Sequence, residues 1–133
     1  MFKNAKHLLN SKLNSLIAQL GHFDEITISD AGLPIPKDPS IKVIDLSLIE
    51  GIPSFQDVVN AIVENLAIEE MIFASEIKEF NPKNYNQFEK TDIKIRFVNH
   101  EEFKQRTHHS KAIIRTGEQT PYANVILICG VNF

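Results

Sequence analysis

Several polar side chains in this chain combine useful chemistry with positions at the ends of regular segments. His22 follows Gly21 and leads into an alternating stretch, Glu25-Ile26-Thr27-Ile28-Ser29. An imidazole there can give or take a proton near neutral pH. It could equally be a helix C-terminal histidine that interacts with the helix dipole. Asp30 ends the same stretch. Its carboxylate can accept hydrogen bonds from ligand hydroxyls, or cap the turn that follows. His100 and Lys104 stand four residues apart, on one face of a helix. They could line a polar pocket or simply lie on a solvated helix face. Tyr122 and Asn124 flank Ala123. An aromatic face with a hydroxyl, beside an amide that both donates and accepts, suits a sugar. The plainer alternative is a tyrosine packed at a strand edge and an asparagine that caps a turn.

Other chemistries lack residues. His108 and His109 are adjacent, so on a helix they point in different directions, and no third ligand stands at standard spacing. They read as surface histidines, and no metal site is expected. Cys129 lies inside the most apolar run and reads as a small buried hydrophobe, not a nucleophile. There is no G-x-G-x-x-G, no G-x-x-x-x-G-K-[ST] and no G-x-S-x-G.

Regular elements must position these groups. Leu13, Leu16, Ile17 and Leu20 recur on one helical face, so the first helix runs from Ser11 to Leu20 and Gly21 stops it. Strands are expected at 25–29, 41–46, 70–74, 92–98, 112–115 and 124–131. A second helix, capped near Ser54, spans about 54–66; a short one starts at Pro82 and runs to about Phe88; Asn99 and Glu102 cap another that runs to about Thr107. Between them, Ala31 to Ser40 holds Gly32, Pro34, Pro36 and Pro39. Proline fixes φ and removes donors, so this is a stiff loop, read as a shaped element of a site. Helices and strands alternate, which predicts an α/β layered fold with a mostly parallel central sheet. The near-continuous apolar strand at 124–131 is expected at its centre, covered on both faces. Ligands of such sheets sit beyond the C-terminal strand ends, where Asp30 falls.

The 133 residues make one domain, 1–133. A chain of this length buries about two-thirds of its unfolded surface. Apolar residues make up 43% and charged residues 23%, ordinary for a globular domain. The net charge of −3 supplies no bulk positive field, which argues against general nucleic-acid binding. With Cys129 as the lone cysteine, an intramolecular disulfide and a Cys-rich zinc site are both excluded. The longest apolar run, Val125 to Cys129, falls far short of the ~20 residues of a membrane helix. Lys3 and Lys6 are not followed by a signal-length apolar stretch, so a cytoplasmic location is expected.

Taken in order, these segments resemble the D-ribose pyranases, sugar mutarotases of ribose utilisation. The motifs are Leu20-Gly21-His22 with Asp24; Asp30-Ala31-Gly32-Leu33-Pro34-Ile35-Pro36-Lys37; and Gly51-Ile52-Pro53-Ser54-Phe55. Glu76-Ile77-Lys78 with Asn81-Pro82, and His100-Glu101-Glu102-Phe103-Lys104, follow. Last come Ile114-Arg115-Thr116-Gly117-Glu118 and Pro121-Tyr122-Ala123-Asn124-Val125-Ile126-Leu127. The related fucose mutarotases share the Gly-His-x-Asp start and Thr-Gly-Glu, but lack the Gly-Leu-Pro-Ile-Pro loop and the Pro-Tyr-Ala-Asn form.

The resemblance implies an α/β sandwich with a Rossmann-like core, assembled into a ring-shaped homodecamer. It implies that His22 is the catalytic proton donor and that Asp30 and His100 bind substrate. Tyr122, Ala123 (through its backbone) and Asn124 match the sugar-contacting segment, and Lys104 a further pocket position. The implied reaction interconverts the β-pyranose and β-furanose forms of D-ribose, without cofactor. Two alternatives stand beside it: a mutarotase for another sugar such as L-fucose, and a non-catalytic ribose-binding accessory of uptake. Geometry adds one expectation. The eight residues from His22 to Asp30 span up to about 26 Å when extended. On a straight strand both cannot touch one ribose, so the site is expected between neighbouring subunits.

Overall fold

The computed structural model describes residues 8–133; Lys3 and Lys6 lie outside them. Helix α1 (Ser11–Gln19) begins where the Asn10 side chain accepts the Leu13 N–H. Strands β1 (Glu25–Ser29) and β2 (Lys42–Asp45) follow, separated by the proline-rich loop. Helix α2 (Phe55–Val63) starts at Ser54, whose hydroxyl accepts the Asp57 N–H at 3.1 Å. Then come β3 (Ile68–Ala74), α3 (Ile77–Phe80), α4 (Pro82–Tyr85) and a 3-10 turn at Asn86–Phe88. Strand β4 (Lys94–Val98) leads into α5 (His100–Arg106), and β5 (Ala112–Arg115) and β6 (Val125–Cys129) complete the chain. Asn99 and Glu102 cap α5 reciprocally: Glu102 N–H donates to Asn99 Oδ1 at 2.8 Å, and Asn99 Nδ2 donates to Glu102 Oε1 at 2.9 Å.

The six strands form one sheet in the order β2-β5-β1-β6-β3-β4. The pairs β2–β5, β5–β1 and β3–β4 are parallel. Strand β6 runs antiparallel to both neighbours, β1 and β3. The sheet is therefore mixed, a refinement of the mostly parallel expectation. The physical reason lies in the link from β5 to β6. It has only the nine residues 116–124, whereas a parallel return needs a crossover of about a dozen or more. The central, fully buried position expected of β6 is what the sheet shows.

Side chains alternate between two cores. On one face, Leu13 and Leu16 of α1 and Phe55, Val59 and Ile62 of α2 pack on Ile26, Ile28, Ile114, Val125 and Leu127. On the other, Phe103 of α5 and Leu33 of the proline-rich loop cover Ile72, Ile126 and Ile128. Phe103 is fully buried, and burying such a ring contributes roughly 1.5–3 kcal/mol. Arg106 fixes the far end of α5, donating from Nε and Nη2 to the two oxygens of Glu25 at 2.8 Å each. That bidentate fork holds the guanidinium pKa above its ordinary value. Sequence periodicity does not predict the short α3. Four residues are too few to establish a 3.6-residue period.

Candidate active site

Strand direction divides the candidate residues into two groups at opposite ends of β1. Before β1, a tight turn carries His22. Gly21 N–H donates to Asp24 Oδ2 at 2.7 Å, and Asp24 N–H donates to Gly21 O at 3.1 Å. The same carboxylate receives Lys111 Nζ at 2.9 Å. The Gly21 amide first, then Lys111, holds the Asp24 carboxyl below its usual range. Phe23 takes a left-handed φ of 69°, steadied by its N–H bond to Cys129 O at 2.9 Å. The His22 ring stacks on Phe23 with centroids 3.7 Å apart, and its Nε2 lies 3.3 Å from Glu69 Oε1 at the start of β3. His22, Leu20, Asn65, Ala67, Cys129 and Val131 line a cavity of about 550 Å³.

Beyond the other end of β1, Asp30 is gripped by Asn124. Asp30 N–H donates to Asn124 Oδ1 at 2.8 Å, and Asn124 Nδ2 donates back to Asp30 Oδ2 at 3.1 Å. Gly32 N–H donates to Asp30 Oδ1 at 2.9 Å. The Asp30 carboxylate therefore caps the turn that follows β1 while it pairs with Asn124. Burial pushes the Asp30 carboxyl pKa up, against the lowering effect of these N–H donors. Asn124, the residue before β6, is fully buried, and both polar atoms of its side chain are engaged by Asp30.

His100 opens α5 with its backbone N–H on both oxygens of Glu76, at 3.1 and 3.0 Å. Its Nδ1 is buried and finds no hydrogen-bond partner among the described residues. Edge-on to its ring, 5.0 Å away, stands Tyr122. Tyr122 has a left-handed φ of 59°, and its carbonyl accepts the Asn124 N–H at 2.9 Å. Ala123 is buried and contributes a methyl group to the first core. Asp30, Ala31, Gly32, Arg115, Glu118 and Thr120 are among the residues that line a second cavity, of about 470 Å³. Lys104, one turn along α5, ends on Glu101 Oε1 at 2.7 Å.

The structure therefore gathers Asp30, His100, Tyr122, Ala123 and Asn124 at one end of the sheet. It leaves His22 at the other, with five strand residues between, about 17 Å of extended chain. Sequence reasoning assigned no role to several neighbours. Glu69 shows no signal at all, being one of two glutamates that open a strand. Glu76, Arg115 and Glu118 stand inside the Glu76-Ile77-Lys78 and Ile114-Arg115-Thr116-Gly117-Glu118 segments, yet their contacts are long-range and invisible to spacing. Arg115 donates to Ala31 O at 2.7 and 3.0 Å and to Asp45 Oδ2 at 3.0 Å, bracing the proline-rich loop. Among the described residues, no three His, Cys, Asp or Glu side chains group as metal ligands. No helix among them is long and apolar enough to cross a membrane.

Fold and site define an α/β domain that carries polar, hydrogen-bonding chemistry at both ends of a mixed sheet. The chain belongs to the RbsD / FucU transport protein family, whose model matches residues 3–132. It is 51% identical over 128 residues to a D-ribose pyranase of Geobacillus thermodenitrificans, covering 95% of this chain and 96% of that one. The structure of Bacillus subtilis RbsD complexed with D-ribose superposes with a TM-score of 0.93 at 47% identity, over 100% of both chains. A fucose mutarotase of Streptococcus pneumoniae, solved with L-fucose, shares the fold at a TM-score of 0.69 and 23% identity, over 93% of this chain and 94% of that one.

Proposed function

We propose that this protein is a D-ribose pyranase, an isomerase that interconverts the β-pyranose and β-furanose forms of D-ribose without a cofactor. The observation that carries the reading is 51% identity to a D-ribose pyranase over nearly the whole of both chains. The 0.93 superposition on a ribose-complexed relative supports it. Ring opening removes the proton from the anomeric hydroxyl, forms the C1 carbonyl and breaks the bond to the ring oxygen, which takes a proton. Closure reverses this from a different hydroxyl. One imidazole, able to give and take protons, serves both halves. In this reading His22 carries the proton. Asp30, His100 and Tyr122 bind the hydroxyls and the apolar face of the sugar, and the Ala123 backbone and Asn124 complete that wall. Lys104 is a further pocket position. A positioned acid–base group contributes roughly 10²–10⁴-fold, sufficient for a reaction that already proceeds unaided.

The active site in this proposal is composite. His22 of one subunit faces the Asp30 cluster of a neighbour, and the closed ring is a homodecamer located in the cytoplasm. The separation of the two groups along β1 supports it. So do the exposed apolar side chains beside the sheet, Leu48 at 76%, Ile49 at 62% and Ile52 at 51% exposure, which a second copy would cover.

Saturation-transfer NMR on D-ribose at equilibrium tests the reaction. Faster pyranose–furanose exchange for ribose than for L-fucose is expected. His22→Gln should abolish the acceleration while ribose line broadening persists. Broadening without acceleration in the unsubstituted protein would indicate the ribose-binding accessory instead. Mixing and co-refolding His22→Gln with Asp30→Asn tests the composite site. Restored exchange is expected, because some interfaces then pair two unsubstituted halves; no recovery refutes it.

A further inference from the structure

Four side chains with no part in proton transfer, Asn81, Asn84, Glu118 and Thr120, meet beside the Asp30 cluster. Asn81 and Asn84 are both buried, at the junction of α3 and α4. Asn81 Nδ2 donates to Thr120 Oγ1 at 2.8 Å and to Pro121 O at 2.8 Å. Asn84 Nδ2 donates to Thr120 Oγ1 at 2.9 Å and to Asn81 Oδ1 at 3.2 Å. Each carboxamide has two N–H protons, so all four are placed. A hydroxyl has two acceptor positions and one proton. The two asparagines fill both acceptor positions of Thr120. Its proton is left one direction, toward Glu118 Oε2 at 2.8 Å. Glu118 Oε1 meanwhile accepts the Phe55 N–H at 3.0 Å, at the first residue of α2. The hydrogen-bond chain has one polarity and cannot reverse.

What this chain supports is Tyr122. The Pro121 carbonyl directly before it is held by Asn81. Phe80, the neighbour of Asn81, sets its ring 5.7 Å from the Tyr122 ring. A left-handed φ is unfavourable for a residue with a Cβ such as Tyr122, so surrounding contacts must hold it there. The Glu118 carbonyl also accepts the Ala31 N–H at 2.8 Å, next to Asp30.

We propose that Glu118, Thr120 and Asn81 are positioning residues: a one-way hydrogen-bond chain that holds Tyr122 left-handed and edge-on to His100 in the sugar-binding wall. This rests on the pyranase reading and deepens it, because it assigns the specificity wall a support outside the sugar contacts.

The test is Glu118→Gln, which keeps size and shape. Its Oε1 can still accept the Phe55 N–H, so the start of α2 survives. Its amide instead meets a Thr120 oxygen whose acceptor positions are both filled. In the folded variant, KM for D-ribose in the exchange assay should rise about five- to tenfold, the scale of one lost net hydrogen bond. The kcat should stay near that of the unsubstituted protein, because Tyr122 binds while His22 moves the proton. T120V, which removes the same link, should raise KM similarly, and T120S, which keeps the hydroxyl, should restore it. The double variant E118Q/T120V should be no worse than the worse single variant, since the parts act as one unit. Unchanged KM in folded E118Q and T120V overturns the inference, as does a fall in kcat at constant KM. Should E118Q fail to fold, the T120V and T120S pair decides by the same measures. Absence of exchange in the unsubstituted protein is a different result: it removes the pyranase reading itself.

Discussion

Replacing Asn124 with Asp tests the pairing of Asn124 with Asp30 beyond the end of β1. Asn124 is fully buried, and its Nδ2 donates to Asp30 Oδ2 at 3.1 Å. The substitution sets one carboxylate oxygen against another at that distance. With both ionised, the repulsion is about 5 kcal/mol at an effective dielectric constant of ~20. The alternative is to bind one proton between them. An ordinary Asp titrates near 3.9, so holding a proton at about pH 7 costs about 4 kcal/mol. The smaller cost wins, and the pair takes up a proton and shares it. The variant should therefore lose up to about 4 kcal/mol of stability at about pH 7. The loss should shrink by ~1.4 kcal/mol per pH unit, to about 1.5 kcal/mol near pH 5. The sign follows from linkage. The pair's folded pKa is raised, the folded state binds more protons than the unfolded one, and stability rises as pH falls. Urea unfolding of both proteins across this range, at equal protomer concentration, measures the difference. A difference that stays constant with pH, or is absent at neutral pH, refutes the reasoning.

Three further outcomes follow from packing and charge. Gly117→Ala would drive a Cβ against the carbonyl oxygens of Ile52 and, at 2.7 Å, of Ile49. Both are backbone, so thermal unfolding should show a loss of about 1–3 kcal/mol, and an unchanged midpoint contradicts it. Glu76 is opposed by burial, but N–H donors, its own and that of His100, outweigh this and hold its carboxyl below the usual range. Its contribution to stability is present at neutral pH and disappears as pH falls through that lowered pKa; Glu76→Gln should remove this acid limb, at a cost of about 1 kcal/mol. Burial pushes the Cys129 thiol up to about 11. At about pH 8 a disulfide reagent should therefore leave the native thiol unmodified and label it only after unfolding; rapid native labelling contradicts this.

The helices and strands were legible because their signals are local. Leu13 and Leu16, and Phe55, Val59 and Ile62, share a face through a 3.6-residue period, and those faces are buried. Ser54 and Asn99 announce their helices through a side-chain oxygen that reaches an amide three residues on. The continuous apolar run at 125–129 located the strand covered on both sides. Strand β1 also conveyed its own length, and so the separation of His22 from Asp30. Local chemistry could not go further. It left Asp30 open between cap and ligand and found Tyr122 with Asn124 suited to a sugar, but the family resemblance, not local chemistry, supplied ribose.

Tertiary structure decided which of these residues meet. Asp30 and Asn124 are 94 positions apart in the chain. They bond because β6 inserts beside β1 in the antiparallel direction, bringing its first residues to the end of β1. Glu69 reaches His22 across 47 positions, and Glu118 reaches Phe55 across 63. No period or motif encodes such pairs, since hydrogen bonds depend on distance and angle in space, which only strand order and register set. Sequence determined the acid–base and hydrogen-bonding groups available to this protein. The mixed sheet decided that they divide between its two ends, because a strand holds its termini apart by its own length.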